Sequence, residues 1–306
     1  MADWPRPLEA ASGPIPIDKL DGAAEGMGEF GPETRALADD GLVPPDMMTG
    51  LTLFILSSQP KTGREKMAGG GGGVAGGVWV RERYTIHRPL AREDVFSITG
   101  ESVGRHVRKG RRYGTTRSET RNAAGDLAAD NLTTGLLAYK VQEGLSDQLE
   151  GPDPDSLRGP EPDWAAAANN PGVQALRELK AGETLGGTPV FVSLALMQAR
   201  DTKNPNNPIH SDPGLAKQAG LSRPIAGGSH VQAFVLEPLL ARVGRHALFH
   251  GASFDIRWKA PVYADTTMTP HVRVLEVTTD RVVCELEAVL ENDSIAMTGT
   301  VAIPLP

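Results

Sequence analysis

Hydrophobic and polar residues alternate near the end of the chain. The apolar members of this pattern are Val282, Cys284, Leu286, Ala288 and Leu290, and charged residues such as Arg281 and Glu285 occupy positions between them. A period of two predicts a β-strand with one buried face and one face in water. Asn292 and Asp293 predict a turn, after which residues 295–303 predict the returning, final strand.

A degenerate copy of this arrangement occurs in the first half of the chain. The segment YTIHRPL (84–90) resembles FDIRWKAPV (254–262), and their prolines, Pro89 and Pro261, are 172 residues apart. Likewise, ETRNAAGDLA (119–128) parallels AVLENDSIA (288–296) as a strand, a polar turn and a returning strand. Helical segments precede the strands in both halves. The chain is therefore predicted to be α+β, with a curved antiparallel sheet in each half.

Proline and glycine divide the chain. A polar tract after Val141 contains five prolines, which disfavour helices and central strands: Pro152, Pro154, Pro160, Pro162 and Pro171. We therefore predict domains at 1–145 and 181–306, joined by a linker at 146–180. The glycine run Gly69–Gly77 predicts a loop, and the alternative of a phosphate cradle is disfavoured because no Gly-Lys-Ser/Thr follows it.

Two helix starts are predicted between residues 201 and 242. Asp212 and Pro213 are typical of the start of a short helix, which Gly220 ends. A second helix is expected to begin at Ser229, with Gln232 completing a capping box.

Pro238 should end or kink this second helix. Gly228 then lies just outside the helix N-terminus, where unpaired backbone N–H groups and the helix dipole can stabilise a developing oxyanion. Gly227 and Gly228 together would let a carbonyl approach the backbone closely.

Composition narrows the function. The chain has 306 residues, 40% hydrophobic and 23% charged, which suits two soluble domains. A net charge of −7 argues against a nucleic-acid partner. We expect a cytoplasmic protein without membrane contact, because the sequence shows neither a secretory signal nor a long apolar run. Its single cysteine, Cys284, is expected in a buried strand, and no metal-ligand spacing is present.

One stretch carries a family pattern. The run NPIHSDP (207–213), Ala216 and the run RPIAGG (223–228) resemble the MaoC-like family of (R)-specific enoyl-CoA hydratases, also called hydratase 2. The interval of 18 residues between His210 and Gly228 fits the same family. The resemblance covers about residues 190–303. The first half resembles the degenerate N-terminal half of two-domain members.

The resemblance implies a double hotdog fold and a cofactor-independent hydratase or dehydratase acting on CoA or carrier-protein thioesters. His210 would be the general acid or base, and the Gly228 N–H would polarise the thioester carbonyl. The family has an aspartate five residues before the histidine, where this chain has Pro205. We expect Asp201, displaced by a longer loop, to supply that carboxylate.

Further residues are predicted to contact substrate, namely Asn206, Asn207, Arg223, Gly227 and Ser229. Asn206 could position a water, and Arg223 either fixes the turn before the helix or holds an anionic group. His230 is expected in the core. The basic residues at 105–121 either meet CoA phosphates or form a solvated hairpin face.

Two other functions stay open. One is a non-catalytic subunit that binds acyl thioesters, which the proline at 205 favours. The other is a lyase or isomerase of secondary metabolism with an unusual substrate. The internal duplication supplies a paired hotdog unit within one chain, so a homodimer is an additional possibility.

Overall fold

A thirteen-stranded antiparallel sheet forms the body of the protein. The structure is a computed structural model that describes residues 4–14, 17–48, 50, 78–137, 139, 141–201 and 208–306. The glycine run 69–77 lies outside the described residues. No helix in the described ranges is long and apolar enough to cross a membrane.

The first half supplies seven strands and two of the helices. Its strands are β1 (Arg6–Pro7), β2 (Ala11–Pro14), β3 (Val78–Ile86), β4 (Val95–Arg108), β5 (Arg111–Arg121), β6 (Leu127–Leu136) and β7 (Gln148–Glu150). Its helices are α1 (Ile17–Glu25) and α2 (Pro32–Asp39), and residues 45–48 are also helical. The main strands follow the order β4-β5-β6-β3, with β1, β2 and β7 paired to β4.

The second half begins with short elements and ends in the predicted meander. Its helices are α3 (Trp164–Ala167), α4 (Val173–Arg177), α5 (Leu194–Asp201), α6 (Pro213–Gln218) and α7 (Gly228–Val243). Its strands are β8 (Thr184–Gly186), β9 (Val190–Val192), β10 (Ala252–Trp258), β11 (Thr266–Val277), β12 (Arg281–Leu290) and β13 (Ile295–Pro304). The turn predicted at residues 292–293 lies between β12 and β13, and Cys284 is buried as predicted.

The two half-sheets meet where β3 pairs with β10. Six residue pairs form this junction, from Ala252 opposite Ile86 to Arg257 opposite Arg81. On the inner face, which is covered by helices, the rings of Tyr84 and Phe254 stack at 4.4 Å. On the outer face, Arg81 donates two hydrogen bonds to the Asp255 carboxylate, at 2.9 and 2.6 Å. The halves therefore share one sheet and one continuous hydrophobic core.

The predicted linker crosses the outer face of this junction. Arg83 of β3 donates to the carbonyl oxygens of Pro154, at 3.1 Å, and Leu157. Thr85 donates to the carbonyl of Glu161 at 3.0 Å. The segment that connects the two halves therefore covers the outer-face side chains of β3. The domain boundaries at 145 and 181 stay a prediction.

Polar contacts also join helices from the two halves. The buried Glu237 of α7 accepts hydrogen bonds from the N–H groups of Glu33 and Thr34, at 3.0 and 2.8 Å. These are first-turn donors of α2, which lack partners within their own helix. Arg200 of α5 forms a buried ion pair with Asp46.

The long helix α7 differs from its sequence prediction at both ends. It begins at Gly228 with Gly227 as N-cap, and no side chain caps it, so the predicted Ser229–Gln232 capping box is wrong. Gln232 is fully buried and donates to the hydroxyl of Tyr84 instead. The prediction that Pro238 could end the helix is also wrong, because the helix continues to Val243. Burial against the sheet outweighs the local signals here.

His87 links the first half-sheet to the connecting segment. Its ring nitrogens lie 2.7 Å from Asp163 and 3.1 Å from Asp130. Burial lowers the pKa of His87, but the bonds to both carboxylates outweigh this effect and raise the pKa above its usual value. Protonated His87 donates to both partners, whereas the neutral ring donates to only one.

We predict that His87→Gln destabilises the protein more at pH 6 than at pH 9. A raised pKa in the folded state adds stability below the unfolded pKa of about 6.5, and this stability is lost as pH rises through the folded pKa. The difference should be on the order of 1 kcal/mol, as for hydrogen bonds to charged groups. Urea unfolding of both proteins at the two pH values measures it. An equal loss of stability at both pH values would contradict the pair of hydrogen bonds from His87.

Candidate active site

A short loop and helix place His210. Pro208–His210 forms one turn of 3₁₀ helix, and α6 follows with Asp212 as N-cap. The Asp212 carboxylate accepts from the N–H groups of Gly214 and Leu215, at 2.7 and 2.9 Å, as the sequence predicts. Ile209 and the α6 residue Ala216 are buried in a small apolar cluster beneath the loop. The buried Ile209 thus anchors the turn directly before His210.

The hydrogen bond of His210 defines its tautomer. The ring Nδ1 lies 2.7 Å from the carbonyl oxygen of Ile225. Because a carbonyl only accepts, Nδ1 carries the hydrogen, and the neutral ring has its lone pair on Nε2. Burial lowers the pKa of His210, and the bond to Ile225 only partly opposes this effect. His210 is therefore neutral at pH 7 and has the protonation state of a general base.

The segment 223–228 connects His210 to the start of α7. Ile225 donates its N–H to the carbonyl of Ile209 at 3.3 Å, and Ala226 donates to the carbonyl of Val262 at 2.8 Å. Two residues later the chain enters the sixteen-residue α7. The same short segment therefore orients the histidine and positions the helix N-terminus.

Gly228 is the first residue of α7, and its N–H lies at the positive end of the helix dipole. No described group accepts a hydrogen bond from this N–H. The carbonyl of Gly228 accepts from the indole Nε1 of Trp258 at 3.2 Å. The Gly228 N–H therefore has the character of an oxyanion donor.

Trp258 explains why position 228 requires glycine. A Cβ added to Gly228 would lie 2.8 Å from Cε2 of the Trp258 ring, whereas one added to Gly227 would meet nothing within 4 Å. Trp258 also lies against Trp79, with ring centroids 5.9 Å apart. Sequence reasoning missed Trp258, although its place at the end of β10, three residues before Pro261, could have drawn attention to it.

Asp201 is the last residue of α5 and lies beside the histidine loop. Its carboxylate accepts a hydrogen bond from the hydroxyl of Ser211 at 3.2 Å. Ser211 directly follows His210, so the structure brings this aspartate next to the residue adjoining the predicted base. Its role as the displaced carboxylate stays a prediction.

The other predicted residues have mixed outcomes. Asn206 and Asn207 lie outside the described residues, as does Pro205. Ser229 lies in the first turn of α7 but does not cap the helix. His230 belongs to the core, as expected: it is 1% exposed and donates to the carbonyl of Gly26 at 2.8 Å.

Arg223 is exposed and lies over the ring of Tyr263, 5.5 Å from its centroid. The Tyr263 and Tyr139 side chains pack against the same small apolar cluster, and Arg111 lies over the Tyr139 ring at 5.5 Å. Two arginines thus flank a tyrosine pair that spans the two halves. Arg111 belongs to the predicted basic run, which forms the β4–β5 hairpin with its turn at Lys109.

Comparisons with known proteins place a sequence-family match in the second half of the chain. The sequence model described as MaoC like domain matches residues 202–295. A comparison with curated protein sequences gives no match. Residues 202–295 are therefore similar in sequence to a MaoC like domain.

Solved structures extend the likeness to the whole chain. A MaoC-like dehydratase is 17% identical, with 99% of this chain and 98% of that chain covered and a TM-score of 0.70. HtdX of Mycobacterium tuberculosis is 18% identical, with 96% and 99% covered and a TM-score of 0.60. A conserved hypothetical protein of the same organism, described as a double hotdog fold, is 14% identical, with 97% and 96% covered and a TM-score of 0.59.

The predicted α+β double hotdog is therefore confirmed, and the match to the MaoC like domain supports hydratase or dehydratase chemistry in general.

The first half repeats the backbone of the site without the N–H donor that Gly228 supplies in the second half. Val43 donates to Leu90 at 3.0 Å, as Ala226 of the MaoC-like domain donates to Val262. Pro44 and Pro45 consequently occupy the places of Gly227 and Gly228. Proline has no N–H, so this position offers no oxyanion donor.

We predict that Gly228→Ala lowers the free energy of unfolding by about 1–3 kcal/mol, because the added methyl group overlaps the Trp258 ring. It should also shift the tryptophan fluorescence. Gly227→Ala is the matched control, with open space at its Cβ and only the smaller cost of a poorer N-cap. Urea unfolding and emission spectra measure both effects. Equal behaviour of the two variants would contradict the close Trp258 contact.

Proposed function

We propose that the protein is an acyl-thioester hydratase or dehydratase that interconverts a 2-enoyl-CoA and a 3-hydroxyacyl-CoA. The observation that carries this proposal is the hydrogen bond from His210 Nδ1 to the carbonyl of Ile225. This bond ties the neutral His210 ring to the segment that leads into the N-terminus of α7. Base and oxyanion donor thus belong to one rigid unit, as addition of water to a polarised thioester requires.

The reaction follows from these two groups. His210 Nε2 removes a proton from a water, whose oxygen forms a bond to C3 of the enoyl thioester. The C2=C3 π electrons move toward the thioester carbonyl, and the Gly228 N–H stabilises the resulting enolate oxygen. The protonated His210 then gives up a proton to C2, which restores the neutral base and completes the addition of one water. Dehydration is the reverse sequence, and neither direction requires a redox cofactor.

Asp201 is the candidate for the second acid or base. It lies beside Ser211, within the loop region that carries His210. Asn206 and Asn207 would complete the water site but cannot transfer its proton at neutral pH. If Asp201 takes no part, the site retains binding without a full dyad, which is the alternative of a non-catalytic thioester-binding subunit.

The substrate is proposed to enter past the arginine and tyrosine cluster. Arg223 and Arg111, held over Tyr263 and Tyr139, suit the phosphates of CoA or of a carrier-protein arm. Gly227 and Ser229 flank the thioester carbonyl at the helix start. We place this chemistry in the cytoplasm and in acyl-CoA metabolism, with catalysis in the second half alone.

We predict that His210→Ala lowers kcat for hydration of a short 2-enoyl-CoA by about 10²–10⁴-fold, the usual contribution of a general base. Because the pKa of His210 is lowered, the acid limb of kcat/KM should lie below about 6.5. His271→Ala on β11 is the control and should retain activity. A His210→Ala enzyme with parental kcat would contradict the mechanism.

We further predict that Asp201→Asn lowers kcat by a comparable factor and leaves KM near the parental value. Ser211→Ala removes only the hydrogen bond to that carboxylate and should cost less than tenfold. Steady-state kinetics on the same substrate measures both variants. If Asp201→Asn has the activity of Ser211→Ala, the aspartate acts only as a structural partner and the dyad is absent.

A further inference from the structure

The inner faces of the two half-sheets differ in polarity at corresponding positions. Tyr84 of the first half corresponds to Ile256 of the second, because each lies five residues before the matching proline, Pro89 or Pro261. The strand pairing extends this correspondence to the neighbouring strands of each half-sheet. Asn131 and Ser118 of the first half then match Gly299 and Leu286 of the second.

The neighbouring rows show the same contrast. In the second half, one cross-strand row on the inner face is apolar and lies in the core with residues of α7. It consists of Phe254, Val301 and Cys284. The corresponding first-half row is polar and buried: Glu82 is 0% exposed, Thr133 4% and Thr116 7%. With Ser118, Thr120 and Asn131, six polar side chains occupy a face that is apolar in the catalytic half.

Several of these groups are buried without a hydrogen-bond partner among the residues that the structure describes. These groups are the amide nitrogen and oxygen of the Asn131 side chain and the hydroxyl of Thr120. The side-chain carbonyl oxygen of Gln232 also has no such partner, and Gln232 lies beside Tyr84 on the same face. Burial of an unpaired amide or hydroxyl is costly, and native proteins rarely tolerate it without a ligand or ordered water. The three residues supply donors and acceptors together.

We propose that this face, which we call the polar floor (Glu82, Thr116, Ser118, Thr120, Asn131 and Thr133), binds a hydroxyl or keto oxygen on the acyl group of the substrate. The inference rests on the proposed function and deepens it by naming the substrate class. A hydroxyl both donates and accepts, so it can pair with the Asn131 amide. Acyl groups that end in a carboxylate are disfavoured, because an ionised carboxylate buried beside Glu82 would lose its hydration.

The polar floor lies beside the catalytic helix. Tyr84, in the same cross-strand row as Asn131, accepts from Gln232 of α7, four residues after Gly228. An acyl chain whose carbonyl is held at the α7 N-terminus can therefore extend over the first half-sheet. The half that lacks the oxyanion donor then selects the substrate instead of transforming it.

The test compares 2-enoyl-CoAs of equal chain length that carry a hydroxyl group, a terminal carboxylate or no substituent beyond C3. The parent enzyme should show at least tenfold higher kcat/KM for the hydroxylated substrate than for either other one. Asn131→Leu and the isosteric Thr120→Val should reduce this preference at least fivefold. Thr134→Val, which removes a buried hydroxyl pair with Thr115 on the opposite face, is the matched control and should keep it.

Binding of the same CoA esters to His210→Ala, measured by calorimetry, separates this inference from the proposed reaction. Preferential binding of the hydroxylated ester without turnover by the parent supports the polar floor and contradicts the hydratase. Turnover with equal or better use of the unsubstituted or carboxylated ester overturns the polar floor and leaves the hydratase standing. A preference that survives both Asn131→Leu and Thr120→Val also overturns it.

Discussion

The pairing of β3 with β10 is the constraint on which the rest of the structure depends. It joins two four-stranded antiparallel half-sheets into one sheet and places the stacked Tyr84 and Phe254 rings on the inner face. On the outer face it aligns Arg81 with Asp255, and this bond raises the pKa of Arg81. A shift of one residue along this pairing would exchange the two faces and expose the aromatic pair.

Contacts from α7 depend on that register. Gln232 reaches Tyr84 of β3, Glu237 caps α2, and the α7 N-terminus lies under Trp258 at the end of β10. Each contact joins residues that are far apart in sequence, so the helix is held from both halves. A fixed helix N-terminus is what an oxyanion site requires, since its N–H must be oriented before the charge develops.

The two halves differ at corresponding positions of the repeated fold. The second half keeps glycine at the helix start and an apolar inner sheet face that packs against α7. The first half has Pro44 and Pro45 at the corresponding site and polar residues on its inner face. These differences are the basis for the proposal that the second half catalyses and the first half selects the substrate.

The sequence predicted those features that depend on local pattern. The alternation from Val282 to Leu290 and the Asp212 cap each depend on a few neighbouring residues, and the resemblance added the double hotdog. The capping box failed because Gln232 is buried against Tyr84, 148 positions away. Trp258 and the course of residues 150–163 over the sheet likewise depend on tertiary contacts that no local pattern encodes.

The most direct test of the account is product analysis after the purified protein is incubated with a 2-enoyl-CoA. The account predicts that enoyl-thioester absorbance is lost as 3-hydroxyacyl-CoA appears in equal amount, over many turnovers and with the thioester intact. Release of free CoA, or binding of one equivalent without any hydrated product, would contradict it.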